Sequence, residues 1–189
     1  MHRLLLAFLL LFPPISHASS AFETCRDHFL HGRYFVAETS CLKAANEGIR
    51  DAQKWVAFMY TKGKGVPQDH DKAFFWTEKV AKNGDANSQY LLGRCYQFGT
   101  GTKKDLAKAL YWYRKSAEQE NINGLYAMGN MYRKGIGLNA DPARAFACYR
   151  QAAEKGMYLA GQAMENVGNK LTDDEKKIAE TLSCSSFQE

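Results

Sequence analysis

A period of 36 residues runs through the middle of this 189-residue chain and constrains its fold more than any other feature. Tyrosine, glycine, aspartate and alanine each return at that interval. The columns are Tyr60, Tyr96 and Tyr132; Gly63, Gly99 and Gly135; Gly65, Gly101 and Gly137; Asp69, Asp105 and Asp141; Ala73, Ala109 and Ala145; and Ala81, Ala117 and Ala153. Self-similarity at a period of roughly 20 to 50 residues is typical of arrays whose units bury their apolar faces against one another. The sequence therefore predicts a repeat solenoid.

Each repeat unit is predicted to hold two helices joined by a glycine turn. A column of small residues on the first helix, Ala57, Gly93 and Gly129, allows the paired helix to approach closely. A tyrosine three residues later lies on the same helix face. The Gly-x-Gly pair ends the first helix, because glycine adopts the left-handed conformation without a Cβ clash. The aspartate column then fits the N-caps of the second helices.

The stretch 86–117 resembles a Sel1-like repeat, a relative of the tetratricopeptide repeat. The small residue Gly93, the aromatic Tyr96, the glycines Gly99 and Gly101 and a lysine–alanine pair recur together as in that family. The resemblance implies an all-α fold, a right-handed α/α superhelical solenoid of helical hairpin repeats. It further implies a non-enzymatic adaptor that binds a protein or peptide in the concave groove of the solenoid. A narrower alternative from the same family is an immunity protein that neutralises an antibacterial effector.

The repeat columns divide the chain into four predicted segments. Residues 49–156 hold three repeats of period 36. Residues 21–48 are predicted to form an N-terminal capping helical hairpin, because Ala37, Ala45 and Gly48 match the second helix of a repeat and a short helix would precede them. Residues 157–189 are predicted to form a half-repeat and a capping helix, which opens with a capping box at Thr172. Residues 1–18 precede the array and have a different character.

Those first 18 residues are typical of a signal peptide. His2 and Arg3 form a short basic start, residues 4–12 are apolar, and Ser16 and Ala18 fit a small-x-small cleavage site. The apolar run is too short to act as a stable membrane anchor. We therefore expect an exported protein, periplasmic in a Gram-negative cell, or alternatively secreted outside it.

The charge pattern argues against nucleic acid as a partner. The formal net charge is +5, but lysines and arginines are interleaved with acids and form no long basic run. The Gly-x-Gly loops recur as helix ends and none begins a phosphate-binding loop. We therefore expect no cofactor, and another protein or peptide as the partner.

Two cysteines of the N-terminal hairpin are predicted to form a disulfide. Cys25 and Cys41 lie equally far from the turn near Arg33, which sets them opposite each other in an antiparallel hairpin. A bridge closing a loop of this size contributes about 3 kcal/mol. The alternative is a metal site in which His28 and His31 join the cysteines. No strong zinc spacing is present, and we predict no metal.

The remaining cysteines have separate expectations. Cys148 lies on a second helix, and Cys184 lies in the final helix, which should pack nearby. A disulfide between them is a second prediction, with free thiols as the open alternative. Cys95 occupies the column of Met59 and Met131, so it is interpreted as a buried apolar residue that stays free.

A short motif in the N-terminal hairpin raises an enzymatic hypothesis. Ser40 and Lys43 spell Ser-x-x-Lys, the nucleophile motif of penicillin-binding enzymes, and some cysteine-rich Sel1-like proteins have been linked to β-lactam binding. The partner motifs Ser-Asp-Asn and Lys-Thr-Gly do not occur. Lys43 also falls in the repeat column of Lys79 and Lys115. We predict no catalytic residues and no enzyme, and keep β-lactam binding or hydrolysis as the weakest alternative.

The non-core columns of the first helices supply the candidate binding surface. In this architecture the first helices line the concave face. Tyrosine and arginine, which often anchor interfaces, are among the residues there. For any single aromatic residue, packing on a neighbouring helix is the alternative. The predicted partner-binding residues are Lys54, Phe58, Tyr90, Arg94, Gln97, Tyr126, Asn130 and Arg133.

Overall fold

The computed structural model describes residues 19–184, and all the regular secondary structure within that range is α-helical. The predicted signal peptide, residues 1–18, lies outside the described residues. In this described part of the chain, ten helices follow one another with short connections. They are α1 (Ser20–Leu30), α2 (Tyr34–Asn46), α3 (Arg50–Lys62), α4 (His70–Lys82), α5 (Ala86–Phe98), α6 (Leu106–Glu118), α7 (Ile122–Lys134), α8 (Pro142–Glu154), α9 (Tyr158–Gly168) and α10 (Asp173–Thr181).

The helices form antiparallel hairpins, and the hairpins stack on one another in chain order. Consecutive helices from α1 to α9 pack on one another, while α10 folds back onto α8. The pairs α3–α4, α5–α6 and α7–α8 correspond to the three repeats of the 36-residue period. The predicted all-α solenoid is confirmed. Within residues 19–184, no helix is both long enough and apolar enough to cross a membrane.

The same two local devices set the helix ends in every repeat. The first helix ends at a glycine in the left-handed conformation, at Gly63, Gly99 and Gly135. The second helix begins at an aspartate whose carboxylate accepts the backbone N–H three residues later, at Asp69, Asp105 and Asp141. The last helix has the predicted capping box, in which Thr172 and Glu175 satisfy each other's backbone N–H groups.

The second glycine of each Gly-x-Gly pair has a role that the sequence did not predict. A Cβ atom on Gly65 would lie 2.3 Å from the carbonyl carbon of Tyr34, and one on Gly101 would lie 2.1 Å from the carbonyl oxygen of His70. Tyr34 and His70 each begin the second helix of the preceding hairpin. The first glycine therefore ends a helix, whereas the second lets one repeat dock against the backbone of the one before it.

The buried apolar residues form two clusters instead of one continuous core. The N-terminal core draws on buried residues from Ala21 to Trp76, and the C-terminal core on buried residues from Ala81 to Cys184. The division falls near the end of α4, where the first repeat meets the second. Phe74 of α4 lies across this division, with its ring centroid 5.5 Å from that of Tyr96 on α5.

Each end of the array carries a disulfide. Cys25 of α1 and Cys41 of α2 are bonded, with their Cα atoms 4.7 Å apart. Cys148 of α8 is bonded to Cys184, with a Cα separation of 4.6 Å. We expected Cys184 within the final helix, but it lies three residues beyond the end of α10. The two cross-links therefore tie down the two terminal hairpins.

Candidate functional site

An open groove of about 470 Å³ lies where the first repeat meets the second. Helices α3 and α4 of the first repeat and α5 of the second line it. We call this space the interrepeat groove. Its lining side chains include Lys54, Phe58, Thr77, Leu91, Arg94 and Phe98.

In the second and third repeats, a buried tyrosine fills the space between the paired helices. The ring of Tyr113 lies against Gly93, where a Cβ atom would come within 2.6 Å of it, and Tyr149 lies against Gly129 in the same way. Both tyrosines are almost completely buried. A glycine on the first helix and a tyrosine on the second thus form a matched pair in each of these repeats.

The first repeat lacks that matched pair. Thr77 occupies the tyrosine column and Ala57 the glycine column, so the tyrosine ring of the other repeats has no counterpart in the first. Across the junction, Cys95 of α5 stands where Met131 stands in the next repeat, and its side chain is shorter. Ala57, Thr77 and Cys95 all line the interrepeat groove. The groove is the space left by three smaller side chains.

The rim of the groove exposes large apolar side chains. Phe98 is 65% exposed, and Phe58 and Leu91 are each 38% exposed. The ring of Phe58 also contacts the ring of Phe29, at 5.8 Å between centroids, which fixes that wall against α1. Exposed apolar groups around a concave site are typical of a surface that binds a partner.

The groove is also positively charged. Among its described lining residues, Lys54, Lys62 and Arg94 are basic and none is acidic. Lys54 Nζ lies 2.9 Å from the carboxylate of Asp85, a residue that does not line the groove. Burial alone would raise the pKa of Asp85, but hydrogen bonds from Lys54 and the Ser88 backbone outweigh it and hold that pKa below its usual value. The positive charge of Lys54 is therefore balanced by the carboxylate of Asp85.

Three of the eight predicted partner-binding residues, Lys54, Phe58 and Arg94, line this groove together. Two others, Tyr90 and Gln97, pack on the second repeat's own tyrosine. The ring of Tyr90 lies 5.9 Å from that of Tyr113, and the Tyr113 hydroxyl donates to Gln97 Oε1 at 2.6 Å. Burial raises the pKa of Tyr113, so its phenol keeps the proton that it donates.

The last three predicted residues surround the equivalent tyrosine of the third repeat. The ring of Tyr126 lies 5.5 Å from that of Tyr149. The Tyr149 hydroxyl donates to Asn130 Oδ1 and accepts from Arg133 Nε, each at 3.1 Å. These side chains thus brace the array internally, two repeats along from the matching columns of the groove.

Leu91, Phe98 and Thr77 belong to the groove and were missed by the sequence analysis. Thr77 could have been found, because it breaks a column that is otherwise tyrosine at 113 and 149. Leu91 and Phe98 are two turns apart on one face of α5, and both line the groove. No local pattern reports that.

The Ser40–Lys43 motif lies on α2 at the protein surface. The Ser40 hydroxyl donates to the carbonyl oxygen of Ala37 at 3.0 Å, a common arrangement for serine within a helix. The cysteines of the alternative metal site, Cys25 and Cys41, are joined to each other. Within residues 19–184, no three histidine, cysteine, aspartate or glutamate side chains come together as metal ligands.

Cys95, the free cysteine of the chain, offers a chemical test of access to the groove. Burial raises the pKa of its thiol, with Arg94 opposing that shift. Because the thiolate is the reactive form, we expect iodoacetamide to modify Cys95 more slowly at neutral pH than it modifies an exposed cysteine. The rate should keep rising above roughly pH 8.5, where an exposed thiol titrates. Mass spectrometry measures this, with Cys95→Ala as the blank. Modification as fast as that of free cysteine would contradict the burial.

Comparison with known proteins places the repeats in one family. The Sel1 repeat model matches three consecutive segments, residues 50–85, 86–121 and 122–157. The solved structure of a protective antigen present in uropathogenic Escherichia coli strains, displaying an SLR fold, is 32% identical over 76% of this chain, with a TM-score of 0.71. A Sel1 repeat protein from Oxalobacter formigenes is 30% identical over 82% of this chain, with a TM-score of 0.73.

The chain spans only part of each of these neighbours, 32% of the Escherichia coli protein and 64% of the Oxalobacter protein. No curated protein sequence is a significant match.

Proposed function

The chain belongs to the Sel1 repeat family, and from that premise we propose that it is an exported scaffold that binds a partner protein or peptide in the interrepeat groove. Sel1 repeats form a scaffold that typically mediates protein interaction. To this general role we add the binding site, which is the interrepeat groove, and the location of the protein, which is exported. One observation carries it: at a single junction the tyrosine that closes the other repeats is missing, and exposed apolar side chains surround the space.

Three exposed apolar side chains of the groove support a macromolecular partner. Phe58, Leu91 and Phe98 each leave more than a third of their surface exposed, although burial of apolar surface is the main stabilising force in folding and association. Arg94 beside them is a residue type enriched at interfaces. An apolar centre with a charged edge is the usual anatomy of a protein-binding site.

Export is supported by the cysteines and by the N-terminal pattern. Four of the five cysteines form two disulfides, which persist in oxidising compartments and are rare in the cytosol. The predicted signal peptide points in the same direction. The periplasm of a Gram-negative cell fits both. The immunity-protein and β-lactam hypotheses stay predictions from sequence.

Site-specific photo-crosslinking in cells tests the proposed site. A benzoylphenylalanine replaces Phe98 in the groove, and the control replaces Tyr158 on α9, an aromatic residue that is 77% exposed and far along the chain. We expect one dominant crosslinked protein from position 98 that is missing from position 158. Equal adducts from both positions, or none from position 98, would place the binding site elsewhere.

A further inference from the structure

The missing ring in the first repeat specifies the shape of what can bind there. In the second repeat, the Tyr113 ring lies among Tyr90, Gly93 and Gln97. The residues at the same three columns of the first repeat are Lys54, Ala57 and Thr61, and all three line the open groove. An aromatic ring supplied by another chain would therefore occupy a space of the kind that a tyrosine fills elsewhere in this protein.

A polar side chain that lines this space can accept a hydrogen bond from a phenol. The Thr61 hydroxyl donates to the carbonyl oxygen of Ala57 at 2.7 Å, which leaves its oxygen free to accept a hydrogen bond. Thr61 stands in the column of Gln97, whose oxygen accepts from the Tyr113 hydroxyl. A tyrosine of a partner would thus find an acceptor in the corresponding column.

The charge of the groove specifies what should flank the ring. Lys54, Lys62 and Arg94 are basic, and the described lining residues include no carboxylate. Lys54 has Asp85 as its partner, while Arg94 lies over the Tyr90 ring at 6.0 Å on the exposed surface of α5. Acidic side chains on a bound chain would be attracted to this rim, and basic ones repelled.

The size of the groove limits the occupant to a short segment. Its volume of about 470 Å³ is within the range of roughly 300 to 1,000 Å³ that is typical of ligand sites. Such a space takes a few side chains of an extended peptide or loop. A flat domain surface would leave it unfilled.

We infer that the interrepeat groove binds a short acidic peptide segment that inserts a tyrosine ring between α3 and α4, at the place of the ring missing from the first repeat. The inference rests on the proposed function and names the chemistry of the partner. The acidic side chains of the segment pair with Arg94 and Lys62, and its ring packs against Ala57 and Thr77.

Selection from a phage-displayed library of random linear peptides tests this chemistry on the purified, oxidised protein. We expect enriched peptides to share a tyrosine, or a phenylalanine in weaker binders, flanked by aspartate or glutamate. Fluorescence anisotropy with one synthetic enriched peptide then gives its affinity. Enrichment of neutral or basic peptides that bind in the groove would overturn the inference, and the proposed function would still stand.

Two variants show whether the selected peptide uses the groove as inferred. Arg94→Glu, an exposed change, should weaken binding about tenfold at low salt, with a smaller effect as salt screens the charges. The double change Ala57→Gly with Thr77→Tyr rebuilds the pair found in the other repeats, and should abolish binding because the protein's own ring fills the space. Unfolding by circular dichroism checks that both variants stay folded. Arg94→Glu keeps the test decisive if the double variant does not fold.

The outcomes separate the two proposals. Binding that survives both folded variants would overturn the inference, because the peptide would then lie elsewhere. A dominant crosslink from position 98 combined with peptides that ignore both variants would reject the acidic tyrosine segment but retain the groove as a protein-binding site. No crosslink at position 98 and no groove-dependent peptide would reject both.

Discussion

Replacing Gly101 by alanine is expected to lower the free energy of unfolding by at least about 3 kcal/mol, since a backbone clash is added to a strained dihedral. Gly101 has a φ of +68°, which L side chains rarely adopt. Its added Cβ would also lie 2.1 Å from the His70 carbonyl oxygen and 2.8 Å from Phe74 Cβ. The obstacle is helix backbone, so it cannot be relieved by turning a flexible side chain. The second repeat would have to move away from the first.

Gly84→Ala is the matched control for this change. Gly84 has a φ of +88° but nothing within 4 Å of its added Cβ, so it isolates the dihedral strain. We expect that control to cost about 1–2 kcal/mol. Urea unfolding followed by circular dichroism measures both variants. Equal losses at positions 84 and 101 would mean that the close approach between repeats contributes nothing. A broadened transition for Gly101→Ala would show that the repeats have become less coupled.

The fold could be predicted from sequence because its determinants are local and repeat. The αL glycines such as Gly99 and the N-cap aspartates such as Asp105 act within a few residues of their position, and a column of three makes each one visible. The hairpin symmetry around Arg33 likewise set Cys25 opposite Cys41. Backbone conformation and short-range hydrogen bonds leave a direct mark on the sequence.

The candidate site was only partly predictable because it depends on what is missing. Helix geometry put Lys54, Phe58 and Arg94 on the helix faces that line the groove. The same geometry predicted an equivalent open surface in every repeat. Tyr90 and Tyr126, in the same column as Lys54, pack on the buried tyrosines of their own repeats. Only the first repeat, with no tyrosine to cover, leaves that column facing an open space.

The groove and the division of the core have one physical origin. Thr77 and Ala57 remove a buried ring and its matching close contact from the first repeat, and the division between the two apolar clusters falls beside them, although Phe74 of α4 still meets Tyr96 of α5 across the junction. A ring buried at this position would be expected to stabilise the fold by about 1.5–3 kcal/mol. The chain lacks that stabilisation at the junction where we propose the binding site, which would be a common exchange of stability for function.

Removing the Cys148–Cys184 disulfide by a double change to alanine is expected to lower the free energy of unfolding by about 4 kcal/mol, because the bond closes a 36-residue loop in the unfolded chain. Alanine is the suitable replacement, since Cys148 is fully buried and serine would bury a hydroxyl. In the folded state, Arg150 also holds this end by donating to the carbonyl oxygens of Glu180 and Leu182. We therefore expect α10 to stay docked at room temperature but to detach first on heating.

Hydrogen exchange of the α10 amides and thermal unfolding measure this effect, with Cys95→Ala as the control that removes a thiol without removing a cross-link. The same change at Cys25 and Cys41 closes a shorter loop, of 16 residues, and should cost about 3 kcal/mol. Together these losses approach the whole stability of an ordinary domain, which is about 5–15 kcal/mol. The reduced protein would then fold poorly, and an oxidising compartment would be a condition of its folded state. If the stability is unchanged after both disulfides are removed, the disulfides no longer support export. The proposal of export would then rest on the N-terminal sequence alone.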